Sequence, residues 1–510
     1  MLKYIFKRIL IFIPTLIIIS LMIFGLSKVA PGDPVELRMA GGMSSGDAGL
    51  ASDKLAGEKQ YFEIARSLGL DLPTFYASFS SQAMPDTLYK VGRRYEKETL
   101  SSLVSQYGNW PKISKYYKSL KDLEFSTFDI EKNNTTYAPL RSIRETCNEL
   151  YREANHDVII SKLTEMEGII ATEQTYEEIE YDDFNMAKDT IISKKQFLKP
   201  IEGSIGNLLN DYKSVYTEPT KIKNYIPSIK WYGFKNQYHR WLFGDKPWFS
   251  KSDDPTLSSY GFLRGDFGTS LRDGRPVWSV LKEGVKITVV LNIIVFLIIY
   301  LVGIPLGVLI AIKKDTFFDR FSTLTMFILY SLPSFWIATM CIVFFTNSEY
   351  GMDWFPSFGL AKEGASIGTK IWHIILPVFC MTYGSFAFLA RQMRGGVLDV
   401  FNMDYIRTAR AKGLSERKVI WKHTFRNSMI PLITMFASLL PAMIGGSLII
   451  EYIFAIPGMG AIAYESLVSR NWPILFTVVM FASILTLIGI LLSDILYSVV
   501  DPRISFTKKT

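Results

Sequence analysis

The chain has 510 residues, 49% of them hydrophobic, and a formal net charge of +8, with a mean hydropathy of +0.18. The average conceals two unlike materials, long apolar runs and a polar middle, which excludes an ordinary soluble globule and a disordered chain alike. Of three cysteines only Cys147 lies outside the apolar runs, and His156, His239, His373 and His423 show no metal-ligand spacing, so neither a disulfide framework nor a metal site is expected.

In chain order, residues 9–26 form the first apolar run, preceded by Lys3, Lys7 and Arg8. The run exceeds the roughly 7–15 residues of a secretory h-region, and Lys28 stands where a small residue should precede cleavage after Ala30. It therefore reads as an uncleaved membrane helix. Residues 76–260 are too polar for a membrane and carry helical periodicity over 87–106, 113–123 and 140–171. In the last of these Leu140, Ile143, Cys147, Leu150, Tyr151 and Ala154 recur at spacings of three and four. A mainly α-helical insert is predicted, with borders in the Ser-, Asp- and Pro-rich stretches 78–85 and 251–259. Residues 176–183 are acidic. Residues 225–245 gather Trp231, Tyr232, Tyr238, Trp241, Leu242 and Phe243, a density that suits a membrane-interface belt, a partner surface or the insert's own core.

Five further apolar runs follow, at 288–312, 322–346, 374–389, 429–450 and 474–500, each near or above the roughly 18–20 residues a helix needs to cross hydrocarbon. The run at 374–389 is the weakest, with Pro377, Thr382, Gly384 and Ser385. Gly303, Pro305 and Gly307 in the second run, and Pro441 with Gly445 and Gly446 in the fifth, suit bending and close helix packing. Glu451 and Asp494 lie toward run ends, where capping, interhelical hydrogen bonding or snorkelling is expected.

Orientation follows from the cations in short loops. Lys313, Lys314 and Arg320 join runs two and three, and a dense set from Arg391 to Arg426 joins runs four and five. The alternate loops hold only Lys362 and Lys370, and Arg470. Both termini and the loop 391–428 are thus expected in the cytoplasm and the insert outside. The net charge is a topology signal, and no nucleic-acid partner is expected.

Within that loop, residues 404–412 read as a short basic helix stopped by Gly413, which takes the left-handed cap readily, and Ser415 opens a second helix. Ile406, Ala409, Val419, Ile420 and Trp421 turn toward other surfaces, leaving a rigid cationic knob for a soluble partner. Nucleotide chemistry is absent. The nearest approach to a phosphate-binding loop, GASIGTK at 364–370, lacks the adjacent Gly-Lys pair. No catalytic residue, cofactor or metal is assigned.

The loop motif Thr408, Ala409, Gly413 and Pro431, with Arg407 where the general form carries an acid, resembles the membrane permeases of binding-protein-dependent ABC importers, specifically the dipeptide/oligopeptide/nickel group. APGDPV (30–35), GLDLP (69–73), GDFGTS (265–270), SLPSFW (331–336), EYIFAIPGMG (451–460) and DPR (501–503) agree with that group. The resemblance covers about 1–75 and 260–505. It implies an all-α, six-span transmembrane permease: an N-terminal helix at 1–28, an extracytoplasmic region at 29–285 holding the helical insert between spans one and two, and a five-span core at 286–505. It further implies a multi-pass plasma-membrane protein (bacterial inner membrane) that imports short peptides and is not itself an enzyme. The implied partners are a second homologous permease, two cytoplasmic ABC ATPases and an extracytoplasmic peptide-binding protein, besides the lipid bilayer. The ATPase-docking residues would be Asp404, Tyr405, Arg407, Thr408, Ala409, Arg410, Ala411, Lys412, Gly413 and Leu414. Nickel or another small solute is the alternative cargo, and a non-transporting anchor for the outer domain the alternative class.

Overall fold

The computed structural model describes residues 2–29, 32–42, 54–130, 136–172, 174–181, 187–249, 257, 259–347, 349, 351–429, 432 and 446–500. The chain divides into two units, one of Gly46–Gly265 and one of Met1–Ser45 with Asp266–Thr510.

In the membrane-type unit α1 (Leu2–Val29) runs unbroken through Pro14, and α2 (Pro34–Gly42) follows, with Asp33 Oδ1 accepting from Val35 N at 2.8 Å. The chain then enters the second unit. Its elements are α3 (Lys54–Ser67), β1 (Ala77–Ser81), α4 (Arg94–Tyr107), α5 (Trp110–Ser126), α6 (Tyr137–Leu150), α7 (His156–Ala171), β2 (Gln174–Tyr181), β3 (Ala187–Lys195), α8 (Glu202–Thr217), β4 (Pro227–Trp231) and α9 (Gln237–Phe243). Its core is built where the helices bury their apolar stripes, through Leu103, Ile113, Leu120, Ile143, Leu163 and Tyr212. Among the buried carboxylates there, two take a phenol: Tyr117 donates to Glu96, and Tyr151 to Glu124 Oε2 at 2.9 Å. Burial, and then the adjacent carboxylate, push both phenols above their ordinary value, so both remain donors.

The run 140–171 is two helices rather than one. The chain turns at 151–155, and the Asn155 side chain caps α7 by accepting from Asp157 N at 2.9 Å and Val158 N at 3.4 Å. The acidic run at 176–183 overlaps β2, which pairs antiparallel with β3, and β1 pairs with β4. The second unit is therefore helical with two small sheets, more mixed than periodicity alone predicts.

Back in the first unit come α10 (Val277–Ile312), α11 (Phe317–Ser331), α12 (Ser334–Phe345), α13 (Ile367–Phe401), α14 (Asp404–Ala411), α15 (Glu416–Lys418), a π-helical turn (Val419–Thr424), α16 (Phe425–Ser428), α17 (Leu448–Ile453), α18 (Met459–Val468) and α19 (Trp472–Val500). Among the described residues four helices are long and apolar enough to cross a membrane, and five if α11 with α12 is counted as one span. That pair is bent by 92°, so the apolar run 322–346 is two helices with a break between them and not one continuous helix. Pro333 lacks the N–H to continue α11, and a bent backbone is tolerated at membrane depth where neighbours satisfy its carbonyls. Most of the run 429–450 lies outside the described residues, as do Pro431, Pro441, Gly445 and 501–503.

Helices α10 and α13 form the central pair, with α12 and α17 against them. Gly307 permits the close approach: a Cβ there would stand 2.7 Å from Met393 Cβ. Two ion pairs fasten the periphery. Arg394 on α13 grips Asp319 on α11 with two bonds, Nε to Oδ1 at 2.8 Å and Nη2 to Oδ2 at 3.0 Å. On α19, Asp494 Oδ2 accepts from Tyr4 at 2.8 Å and lies 3.0 Å from Arg8 Nη2 on α1.

Candidate functional site

Three constructions in the membrane-type unit have the makings of a working site. The first is the basic loop after α13. Ile406 and Ala409 on α14 are buried with Val400 and Val419, which pins the short helix to the end of α13 and to the π-helical turn. Burying side chains such as Ile406 and Val419 stabilises by about 1.5–3 kcal/mol each. The helix ends in a double cap. Gly413 N donates to Arg410 O at 2.9 Å and Leu414 N to Ala409 O at 3.4 Å, a pairing that requires the left-handed φ of +74° found at Gly413. A Cβ at Gly413 would meet nothing within 4 Å, so torsion alone demands glycine. Across this turn Arg410 clamps the Glu416 carboxylate with bonds of 2.8 and 3.3 Å, joining α14 to α15.

Of the residues read from the sequence as a docking site, Ala409 alone is buried; Asp404, Tyr405, Arg407, Thr408, Arg410, Ala411, Lys412, Gly413 and Leu414 are exposed. Arg407 and Asp404 stand 3.7 Å apart in solvent, a contact that contributes little. Ser415 precedes α15 but makes no side-chain cap. Its carbonyl instead accepts from Lys418 N at 2.8 Å and Val419 N at 3.0 Å. Trp421 is exposed, two residues past the buried Val419 and therefore on the opposite side of the turn, with its ring 5.3 Å from that of Phe425. The arrangement is a firm, cation-bearing protrusion.

The second construction is a cavity of about 640 Å³. Asn292, Phe296 and Tyr300 of α10 line it, as do Tyr330 and Ser334 at the α11–α12 break, Tyr383 and Ser385 of α13, and Ser447. Tyr383 donates to the freed carbonyl of Leu332 at 2.7 Å, so the bend contributes to the wall without an orphaned acceptor. None of the described lining residues is charged. The cavity was not legible from spacing, because its walls come from segments far apart in sequence. The signal available was Pro333, inside an apolar run.

The third is Glu451, fully buried at 0% exposure. Its Oε2 accepts from Gly460 N at 2.7 Å and Ala461 N at 3.3 Å; its Oε1 accepts from Ser447 N and from Thr288 Oγ1, both at 3.2 Å. Thr288 in turn accepts from Met459 N at 2.8 Å. The carboxylate thus caps α18 from α17 and ties α10 to the Ser447 wall of the cavity, the capping and interhelical hydrogen bonding among the expected roles, and not snorkelling. Nearby, Asn471 fixes the GDFGTS loop, accepting from Leu271 N at 3.0 Å and donating to Ser270 Oγ at 2.8 Å. Among the described residues no group of three or more His, Cys, Asp or Glu is placed to hold a metal ion.

Residues 303–506 match the family described as "Binding-protein-dependent transport system inner membrane component". The oligopeptide transport system permease protein AppB of Bacillus subtilis is 36% identical over 262 residues, 50% of this chain and 82% of that protein. The inner membrane ABC transporter permease protein YejB of Escherichia coli O157:H7 is 40% identical over 48% of this chain and 70% of its own length. The dipeptide transport system permease protein DppB of Bacillus subtilis is 34% identical over 50% of this chain and 82% of its own. A solved chain of an inward-facing methionine ABC transporter covers 44% of this chain and 97% of itself at 19% identity, with a TM-score of 0.36, too loose a likeness to bear on the fold.

Proposed function

As this chain belongs to the binding-protein-dependent transport system inner membrane components, we propose that it is the permease of an ATP-driven importer of short peptides. It is a helical, multi-pass inner membrane subunit and not an enzyme. The cargo reading rests on relatives named for oligopeptide and dipeptide transport. In this reading six spans are present, and both termini and the α14–α15 loop face the cytoplasm. The unit between α2 and α10 is an extracytoplasmic insert. Two ATPases, a second homologous permease and a peptide-binding protein complete the assembly.

The single observation that carries the mechanism is the protrusion at Gly413. Nine of its ten candidate residues are exposed, yet its base is buried against α13, and α13 also walls the cavity. A displacement imposed on α14 by an ATPase is therefore delivered to a helix that lines the path. Alternating access follows if the cavity opens outward when the ATPases close and inward when they part. The uncharged wall offers hydroxyls and an amide to the peptide backbone, which every peptide carries, and no fixed countercharge that would select one side chain.

The test is ATP-dependent uptake by the complete complex in proteoliposomes. Accumulation of a labelled short peptide, requiring both ATP and the binding protein, is expected. Uptake of nickel alone would reassign the cargo, and uptake of neither would leave a membrane anchor for the outer unit.

A further inference from the structure

The unit Gly46–Gly265 carries a surface that its own core does not explain. In the β1–β4 sheet Phe79 pairs with Ile229 and Ala77 with Trp231. Phe79, Ile229 and Trp231 are 81%, 70% and 72% exposed. Along β4 the alternation is inverted relative to what water favours, with Pro227, Ile229 and Trp231 outward and Ser228 and Lys230 turned in. Lys230 is held there by donating to Met84 O. The chain flanking β4 continues the pattern: Ile222 and Tyr225 before it and Phe234 after it are 78%, 87% and 71% exposed. None belongs to the hydrophobic core of this unit. A cluster of large apolar side chains on one small sheet and its flanks marks a surface that meets something other than water.

The charge around it says what. Residues 219–236 contain Lys221, Lys223, Lys230 and Lys235 and no Asp or Glu, and Lys221, Lys223 and Lys235 are exposed. The last acid before the stretch, Glu218, is paired with Lys112 at 3.2 Å; Asp86, beyond β1, is followed by Lys90. Lysine is depleted from protein–protein interfaces, where its desolvation is costly. Lysine mixed with Trp, Tyr, Phe and Ile is instead the composition of surfaces that lie on bilayers: rings and aliphatic chains enter the headgroup and acyl boundary while ammonium groups stay at anionic phosphates.

We infer that the β1–β4 face with its 219–236 flanks is a lipid-docking surface that seats this unit on an anionic bilayer. The unit is joined in sequence to α1 and α10, helices apolar and long enough to cross a membrane, so a bilayer is always within reach and even weak individual contacts are used at high effective concentration. The inference is independent of the transported cargo, since it concerns side chains that line no path, and it holds on either side of the membrane.

The test uses the full chain in liposomes. The native cysteines 147, 341 and 380 are buried, so an environment-sensitive fluorophore can be placed on Ile229→Cys and, as reference, on Lys213→Cys, an exposed position of α8. Vesicles of phosphatidylcholine with phosphatidylglycerol, and of phosphatidylcholine alone, carry nitroxide at the headgroup or the upper acyl chain. The expected result is several-fold stronger quenching at 229 than at 213 in the anionic vesicles, weakened by omitting phosphatidylglycerol and by Lys221→Glu, Lys223→Glu and Lys235→Glu together. Equal quenching at the two positions would overturn the inference. So would quenching at 229 that ignores both lipid charge and lysine reversal, or shielding that appears only when a binding protein is added. Far-UV circular dichroism of the lysine variants confirms that lost quenching is lost docking and not lost folding.

Discussion

At the scale of single residues, Gly413 and Glu451 matter for opposite reasons. Gly413 is surrounded by space, so a larger residue there is resisted by backbone torsion alone, at about 1–2 kcal/mol. Gly413→Val is expected to abolish peptide uptake while ATP is still hydrolysed without coupling to substrate. Gly413→Asn, whose side chain tolerates the left-handed region, should retain much of the transport. Normal coupled uptake in the Val variant would remove the docking role from this loop. Glu451 is instead enclosed, with four donors converging on two oxygens. Glu451→Gln presents an amide N–H to at least one of those donors, so roughly 1–3 kcal/mol of stability should be lost. The loss is checked by thermal unfolding of the detergent-solubilised protein and by faster hydrogen exchange at the start of α18.

At the scale of elements, the contact between α11 and α13 is specified by Asp319 and Arg394. Asp319 is buried while Arg394 is partly exposed, and removing the guanidinium strands the carboxylate, so Arg394→Gln should destabilise by roughly 1–3 kcal/mol. The double variant Asp319→Asn with Arg394→Gln should be milder than that single change, as a double-mutant cycle on unfolding would register. In the other unit, α9 rests on His239, whose imidazole bonds Tyr76 at 3.0 Å and stacks on Phe243. Burial holds its pKa below the usual value near 6.5. As pH falls through the window from about 6.5 to that lower folded value, the unfolded chain takes up the proton first, so stability declines with acidification and is unaffected above the window. Hydrogen-exchange protection of α9 in the full chain should therefore fall as pH drops below about 6.5, and His239→Gln should flatten that slope.

What could be read from the sequence at this scale depended on the range of the cause. The cap at Gly413 is local, and its two helices were legible in a few adjacent residues. The break between α11 and α12 was written in Pro333, but hydropathy averages over a window and reported one span. The separation of α6 from α7 was written in Asn155, yet apolar residues kept helical spacing across the turn and masked it. The cavity and the donors around Glu451 are assembled from segments far apart in the chain, and no periodicity within one segment records that meeting. The aromatic cluster at 225–245 divides in the structure: Tyr238 and Leu242 of α9 are buried, Trp231 of β4 and Phe234 after it exposed, a sorting set by tertiary packing that composition does not record.

At the scale of the whole molecule, the proposed orientation makes one plain demand. A membrane-impermeant thiol reagent applied to intact cells should label Lys213→Cys and leave Ser415→Cys untouched until the membrane is opened. The reverse pattern would invert the topology and with it the assignment of the basic loop to the cytoplasm.

The clasp between α1 and α19 has its own consequence, one that concerns time rather than space. Tyr4 and Asp494 are separated by 490 residues. At the roughly 5–20 residues per second of protein synthesis, about 25–100 s pass between the making of the two. Throughout that interval Arg8 on α1 is without its carboxylate, while the unit Gly46–Gly265 and the central helices are made. Synthesis of α19 is therefore the event that supplies the clasp for α1, and a chain released by the ribosome before Asp494 lacks it.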